Sequence, residues 1–212
     1  MFESKLPQNI KFCAINSSLG YDQILDPIEM EYLSTVSSKK RKTEYVLGRL
    51  AAREAILALG MCGKVTRDEV GKPVWPKGVV GSITHKNSWG MAITALKANY
   101  QSVGIDLEEI NEGIRKIENK VCTDLEKKWI YENPLELDQR LTSLLAAKEA
   151  LFKCLNPISK KFFGFQDATC KWNETGFTAT LNIELSAKFT EGSKIEIGIS
   201  YKNNFVLAFV YI

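Results

Sequence analysis

Val103-Gly104-Ile105-Asp106-Leu107-Glu108 is the stretch at which this chain passes from one block of helix and strands to a second. Successive side chains of a strand point to opposite faces, so the three aliphatic residues share one face and Gly104, Asp106 and Glu108 share the other. Two carboxylates on one strand face repel each other unless a cation or solvent relieves them. The stretch therefore predicts either the solvated face of an edge strand or part of a cation site.

The sequence around this strand shows the same order of elements twice. A segment of high helix propensity ends at Gly60, a plausible C-cap, and two apolar strand patterns follow it. After residue 110 the chain is mainly helical, with predicted breaks at Asn133-Pro134 and Asn156-Pro157, and four alternating segments follow. We predict an α+β fold of two similar halves, residues 1–104 and 105–212. The predicted helices cover 44–59 and 111–155, and the strands cover 79–85, 90–96, 168–172, 177–183, 194–200 and 205–212.

Composition narrows the class of protein. The chain has 212 residues, 45% of them hydrophobic and 25% charged, which is typical of a soluble globular protein, and its net charge is only +3. Its five cysteines form no C-x-x-C pair, which argues against a disulfide framework or a zinc site. A single histidine, His85, excludes a His-rich metal centre. No apolar run has the length of a signal-peptide core or a membrane span, so we predict a cytoplasmic protein.

A second acidic cluster lies on the predicted helix at 147–153. Glu149 and Lys153 stand four residues apart, in the favourable order for a surface ion pair worth about 0.3–0.5 kcal/mol. The alternative is that Glu149 joins Asp106 and Glu108 in a site of hard oxygen ligands, which suits Mg²⁺. A magnesium site that keeps open positions usually handles phosphates, so this alternative indicates phosphoryl chemistry.

Two arginines indicate where an anion could bind. Arg49 and Arg53 share one face of the predicted helix, and neither has an acidic residue three or four positions away. An anion between them would relieve their repulsion, and arginine matches phosphate oxygens well. A tertiary salt bridge or a solvated face explains the same pattern.

The predicted strand 79–85 ends in a group of hydrogen-bonding side chains. Ser82, Thr84 and His85 could donate to a phosphate or a ribose, although a lone histidine could equally be a turn residue. No second histidine is present for a hydrolase triad. Trp75 lies between two prolines, and we expect it to pack in the core rather than to stack on a base.

Taken in order, these motifs resemble the 4′-phosphopantetheinyl transferases, and most of all the group similar to the enterobactin synthetase component D and surfactin-synthetase-activating types. The matching segments run in the family order and near the family spacing. Residues 144–147 depart from the pattern, because relatives often carry an aromatic residue and a serine there. The segments are GRLAAR (48–53), GKPVWP (71–76), GSITH (81–85), GIDLE (104–108) and KEALFK (148–153).

The resemblance implies a reaction and a catalytic centre. Such enzymes move the phosphopantetheine arm of coenzyme A onto a serine of an apo carrier protein and release adenosine 3′,5′-bisphosphate. By motif match, Asp106, Glu108 and Glu149 would hold Mg²⁺ against the pyrophosphate of coenzyme A. Glu149 is also a candidate base for the carrier serine, and Lys153 would assist the leaving group. The halves would be related by pseudo-twofold symmetry, with the active site at their interface.

The resemblance also implies a set of coenzyme A ligands and partners. The 3′-phosphate and adenosine would be gripped by Arg49, Arg53, Lys72 and His85, with Ser82 and Thr84 as lesser candidates. Arg41, from the basic run 39–42, would reach the nucleotide phosphates, and Lys148 would bind phosphate. The carrier protein would dock near residues 111–130. We expect a monomer that binds no nucleic acid and serves siderophore, nonribosomal peptide or related synthesis.

Two other functions use the same residues. A metal-dependent nuclease would combine Asp106 with Glu126 and Lys128, but such enzymes place the E-x-K pair on a strand, and this segment predicts a helix. A nucleic-acid binder would use the basic run with Trp75, Phe162, Phe163 and Phe165 as stacking groups. The mild net charge argues against that binder.

Overall fold

A computed structural model describes residues 5–16, 27–133 and 136–212, and the chain forms two compact units. One unit is Pro7–Tyr100, and the other includes Gln101–Ile212. Lys5 belongs to the second unit, where its Nζ donates to the carbonyl of Ile199 at 2.8 Å. The mixed α+β class predicted from the sequence is confirmed. The boundary at residue 104 and the pseudo-twofold relation stay predictions.

The first unit packs two helices and a three-stranded antiparallel sheet. The helices are α1 (Pro27–Thr35) and α2 (Lys39–Ala58). The sheet has the order β1-β5-β4, and a two-stranded hairpin, β2-β3, precedes β4. The strands are β1 (Lys11–Asn16), β2 (Thr66–Arg67), β3 (Pro73–Val74), β4 (Val79–Lys86) and β5 (Trp89–Leu96).

Helix α2 lies directly against this sheet because two glycines permit a close approach. A Cβ atom on Gly48 would be 2.7 Å from Cγ2 of Ile83, and one on Gly90 would collide with the backbone of Leu47. The helix starts five residues before the predicted 44, because Ser38 caps it by accepting from the N–H of Arg41. The basic run 39–42 is therefore the first turn of α2, and that turn contains no acidic residue.

The second unit is a five-stranded antiparallel sheet covered by a long helix. The strand order is β6-β10-β9-β8-β7, which puts the acidic strand β6 at the edge. The strands are β6 (Val103–Glu109), β7 (Ala168–Trp172), β8 (Gly176–Leu181), β9 (Lys194–Lys202) and β10 (Phe205–Tyr211). The helices are α3 (Glu118–Val121), α4 (Asp124–Tyr131) and α5 (Leu137–Ser159).

Helix α5 corrects one sequence prediction. The pair Asn156-Pro157 does not stop it, because the helix continues through Pro157 and ends at Ser159. Lys160 then adopts a left-handed conformation with φ 54° and closes the helix by donating its N–H to the carbonyl of Asn156. The predicted break at Asn133-Pro134 falls partly on residues 134–135, which lie outside the described residues. Among the described residues, no helix combines the length and apolarity that a membrane crossing needs.

Candidate active site

The carboxylates of β6 face helix α5. A Cβ atom on Gly104 would collide with the carbonyl oxygen of Ala150, so strand and helix backbones nearly touch there. Strand alternation puts Asp106 and Glu108 on the same face as Gly104. Asp106 is only 5% exposed, and Nζ of Lys153 donates to its Oδ1 at 2.7 Å. The predicted alternation is thus confirmed, and Lys153 contacts the strand instead of standing at the surface.

Electrostatics couple Glu149 to both strand carboxylates. Burial raises the pKa of Glu149 above its ordinary value, and the negative charges of Asp106 and Glu108 raise it further. The positive charges of Lys153 and Lys120 act in the opposite direction on that pKa. Three carboxylates therefore share one field, and Glu149 holds a proton more tightly than a solvated glutamate does.

The side chains of this cluster are of the type that binds Mg²⁺, but in the part of the chain that the structure describes they are not arranged around a metal position. Carboxylate oxygens are the ligands that Mg²⁺ prefers, and their mutual repulsion favours a cation. Over residues 5–16, 27–133 and 136–212, however, no three His, Cys, Asp or Glu side chains are arranged so that they could hold a metal ion. The cation that Asp106 contacts here is the ammonium of Lys153.

Lys148 is bound by core residues, which argues against the phosphate-binding role that stays a prediction from the sequence. It is 3% exposed, and its Nζ donates to the carbonyls of Val121 and Phe165, each at 2.8 Å. Its third donor reaches Oε2 of Glu126 at 2.7 Å. An ammonium has three N–H donors, and all are used inside the core, so none is left for a phosphate.

Glu126 is equally committed to the core, which removes the basis of the nuclease alternative. Its side chain is completely buried and accepts from the N–H and hydroxyl of Thr123, closing a capping box at the start of α4. It also accepts from the N–H of Cys170 and from Lys148. A nuclease would need Glu126 beside Asp106 with Lys128, but Glu126 is fixed in a helix cap and Lys128 is exposed on α4.

The two arginines of α2 have different surroundings. Nη2 of Arg53 lies 3.3 Å from Oε2 of Glu29, so the tertiary salt bridge considered as an alternative is present. Arg49 is 6% exposed, and its Nη1 has no hydrogen-bond partner within the part of the chain that the structure describes. Its guanidinium carbon lies 4.9 Å from the ring centre of Tyr45. Arg49 is thus a buried cation with unused donor capacity.

Strand β4 separates the three hydrogen-bonding residues predicted to act together. Ile83 contacts α2, and alternation puts His85 on that same face. Nδ1 of His85 lies 3.6 Å from Oε2 of Glu44 on α2. Ser82 and Thr84 are buried on the opposite face. Trp75 packs over Gly81 against the core of this unit, as expected.

Two further predicted phosphate ligands are exposed. Arg41 lies in the first turn of α2, and Lys72 lies in the turn between β2 and β3. That turn is organised by Asp68, whose Oδ1 accepts from the N–H groups of Val70 and Lys72. Both cations are therefore accessible on defined local structure.

Sequence reasoning missed the residues that hold these cations. Glu29 is 24 positions from Arg53, and Glu44 is far along the chain from His85, so no local spacing identifies them. The only signal was the lack of an acidic residue three or four positions from either arginine, which is consistent with a partner from another element. Tyr32 and Tyr45 gave no signal, because aromatic residues near helices usually pack in cores.

Comparison with known proteins identifies the family. Residues 29–95 match the model of the 4′-phosphopantetheinyl transferase N-terminal domain, and residues 102–210 match that of the 4′-phosphopantetheinyl transferase superfamily. The chain is 33% identical over 176 residues to 4′-phosphopantetheinyl transferase Npt of Nocardia iowensis, covering 79% of this chain and 75% of that protein.

Two further relatives match over shorter regions. 4′-Phosphopantetheinyl transferase PptT of Mycobacterium tuberculosis is 31% identical over 148 residues, which are 67% of this chain and 64% of that protein. Enterobactin synthase component D of Escherichia coli is 34% identical over 119 residues, which are 55% and 56%. The chain thus covers less than two thirds of these two relatives. Both of its halves are nevertheless matched by models of one family, and the chain belongs to the 4′-phosphopantetheinyl transferase superfamily.

Proposed function

We propose that this chain transfers the 4′-phosphopantetheine arm of coenzyme A to a serine of an apo carrier protein and releases adenosine 3′,5′-bisphosphate. The observation that carries the proposal is the convergence of Asp106, Lys153 and Glu149 inside the segment matched by the superfamily model. In this reaction the serine oxygen forms a bond to the β-phosphorus. The bond from that phosphorus to the bridging oxygen breaks, and the bridging oxygen leaves with the nucleotide.

Glu149 is the proposed general base. Burial and the charges of Asp106 and Glu108 raise its pKa in the structure, and its ionised carboxylate can accept a proton. The proton of the carrier serine passes to Glu149, directly or through a water molecule. Lys153 stabilises the charge that develops on the leaving phosphate, because its ammonium lies at the same carboxylate cluster.

Asp106, Glu108 and Glu149 are the residues that would hold Mg²⁺. When bound, the ion would stabilise negative charge on the pyrophosphate as the β-phosphorus is attacked. In the structure, Nζ of Lys153 donates to Oδ1 of Asp106. The same ammonium would bind phosphate oxygens of coenzyme A, since it lies beside a carboxylate that would hold the ion.

The coenzyme A nucleotide would be held by cations of the first unit. Arg49 supports this assignment best, because its buried guanidinium has a donor with no hydrogen-bond partner among the described residues. Arg53, Lys72 and His85 are the further proposed ligands of the 3′-phosphate and adenosine, with Arg41 at the phosphates. Ser82 and Thr84 stay proposals of lower rank, since both are buried on the other face of β4.

We also propose the setting of the reaction. The name of the relative from Escherichia coli mentions enterobactin synthase, which favours siderophore or nonribosomal peptide synthesis. The carrier would dock near residues 111–130, where Ile117 and Leu125 are exposed. We propose that the protein acts in the cytoplasm as a monomer.

The direct test is a mass measurement on the carrier. The protein is incubated with coenzyme A, Mg²⁺ and apo carrier domains from peptide, siderophore, polyketide and fatty-acid synthesis. We expect one carrier class to gain a single phosphopantetheine. Asp106→Ala should abolish this gain, whereas Glu191→Ala, which changes an exposed carboxylate outside the proposed docking region, should not. No gain on any carrier would refute the proposed function.

A further inference from the structure

Two arginines and two tyrosines of the first unit form a continuous series of cation–aromatic and ring–ring contacts. The guanidinium carbon of Arg67 lies 3.9 Å from the ring centre of Tyr32, and the rings of Tyr32 and Tyr45 are 4.7 Å apart. The guanidinium carbon of Arg49 lies 4.9 Å from the ring centre of Tyr45. We call the four residues Arg67, Tyr32, Tyr45 and Arg49 the cation–aromatic ladder.

The ladder joins three separate elements through α1. Arg67 lies on β2, and its guanidinium covers the backbone of the following turn, since a Cβ atom on Gly71 would be 2.7 Å from its Nη2. That turn carries Lys72. Tyr32 lies on α1, while Tyr45 and Arg49 lie on α2. Helix α1 thus connects the hairpin of Lys72 to the helix of Arg49.

The same helix contacts the second arginine. Glu29 is one turn before Tyr32 on α1, and it is 7% exposed and paired with Arg53. Three of the proposed coenzyme A ligands, Arg49, Arg53 and Lys72, are therefore positioned on elements that α1 connects. Tyr32 and Tyr45 are the uncharged members of the cation–aromatic ladder.

The ladder holds Arg49 in place without neutralising it. A buried guanidinium is costly unless it is paired, and the face of Tyr45 attracts it only partly. Its Nη1 stays without a hydrogen-bond partner in the region that the structure describes. A cation that is fixed, buried and incompletely satisfied is preorganised for an anionic ligand, because binding then costs little side-chain entropy.

We propose that Tyr32 and Tyr45 are positioning residues for coenzyme A, which orient Arg49 and the Lys72 hairpin toward its phosphates. This inference rests on the proposed function and deepens it. The tyrosines act on the nucleotide ligands Arg49 and Lys72 and not on the reacting atoms themselves. Their effect therefore falls on the binding of the nucleotide, not on the chemical step.

The test measures binding of adenosine 3′,5′-bisphosphate by calorimetry to the full chain. We expect Tyr45→Leu to weaken binding about 5-fold, since a cation–aromatic contact changes an equilibrium about 2- to 30-fold. Tyr45→Phe keeps the ring and should bind within about 2-fold of the unchanged protein. Tyr100→Leu is the matched control, because it removes a tyrosine of the same unit that lies outside the ladder.

Two further measurements separate positioning from general damage. With the carrier assay, Tyr45→Leu should raise KM for coenzyme A about 5-fold and leave kcat at saturating coenzyme A unchanged. In an Arg49→Ala background, Tyr45→Leu should cause no further loss of nucleotide binding, because its effect acts through Arg49. If Tyr45→Leu does not fold, Tyr32→Leu decides, with Tyr32→Phe as its conservative partner.

The outcomes distinguish this inference from the proposed function. If the unchanged protein fails to bind adenosine 3′,5′-bisphosphate, both are overturned. If it binds, and folded Tyr45→Leu and Tyr32→Leu bind equally well, the positioning role is overturned and the proposed function stands. A full additional loss from Tyr45→Leu in the Arg49→Ala background would also overturn positioning through Arg49.

Discussion

Nζ of Lys153 on α5 lies 2.7 Å from Oδ1 of Asp106 on β6. This contact joins the edge strand to the long helix at the place where Glu149 also lies. It neutralises one of three interacting carboxylates, and it defines the site before any ligand is bound.

Replacing Lys153 by methionine should separate these roles. The nearly buried Asp106 loses its ammonium partner, which should lower the free energy of unfolding by about 1–3 kcal/mol. Loss of the leaving-group cation should reduce kcat about 100-fold. Urea unfolding and carrier modification check the two effects, with exposed Lys171→Met as control. An unchanged kcat would show that Lys153 does not act in the reaction.

The raised pKa of Glu149 gives a signed pH dependence. The folded protein holds this proton at pH values where the unfolded chain has released it, so Glu149 lowers stability as pH rises from about 4.5 through its raised pKa. We expect Glu149→Gln to unfold at higher urea than the unchanged protein at pH 7, with the difference closing below about pH 4. The unfolding series is run without divalent cations.

Glu149→Gln should also lose catalytic activity. A glutamine cannot accept the serine proton, so kcat/KM should fall about 10²- to 10⁴-fold. In the unchanged protein, kcat/KM should fall at acid pH, where Glu149 becomes protonated. If the variant is both inactive and more stable at pH 7, then Glu149 serves the reaction while lowering the free energy of unfolding. Full activity of Glu149→Gln would reject Glu149 as base.

The buried pair Lys148–Glu126 should contribute stability and not substrate binding. Lys148→Met leaves Glu126 buried without its cation, which typically costs about 3–5 kcal/mol. Folded Lys148→Met should bind adenosine 3′,5′-bisphosphate with unchanged affinity. Lys127→Met is the matched control, because its partner Asp124 is 99% exposed and 3.8 Å away, and it should cost less than about 1 kcal/mol. A selective loss of nucleotide affinity would restore the phosphate-binding role of Lys148.

Gly104→Ala tests the close approach of β6 and α5. The added methyl group would collide with the carbonyl oxygen of Ala150, and backbone cannot rotate away as a side chain can. We expect a loss of about 1–3 kcal/mol in unfolding free energy, together with reduced activity as Lys153 moves from Asp106. Gly164→Ala is the control, since its Cβ would meet only Asp167 Oδ2 at 3.8 Å. Equal stability of both variants would contradict the described contact.

The sequence predicts local secondary structure better than it predicts which residues a side chain contacts. Alternation in β6 correctly put Asp106 and Glu108 on one face, because strand geometry is fixed by the backbone. The motif at 148–153 did not reveal that its two lysines have opposite surroundings. They are five positions apart and so differ by about 140° around a helix. Which side of α5 faces the core depends on the packing of α4 and of the residues around Phe165. The sequence of α5 alone does not determine that packing.

Spacing along the sequence cannot identify ion pairs between residues that are distant in the chain. Arg53 finds Glu29 through the packing of α1 on α2, and that packing depends on aromatic contacts with no sequence signature. The end of α5 was missed for a related reason. Pro157 removes one N–H donor, but the helix ends only two residues later, where the N–H of Lys160 bonds to the carbonyl of Asn156.

The basic first turn of α2 has a consequence for the kinetics of ligand capture. Four cationic side chains stand at the end of the helix that already carries a partial positive charge, so their fields add outward into solvent. Such a field accelerates the diffusional encounter with polyanions, and salt screens it over about 8–10 Å at ordinary ionic strength. Rising ionic strength should therefore slow the association step while leaving turnover at saturation unaffected.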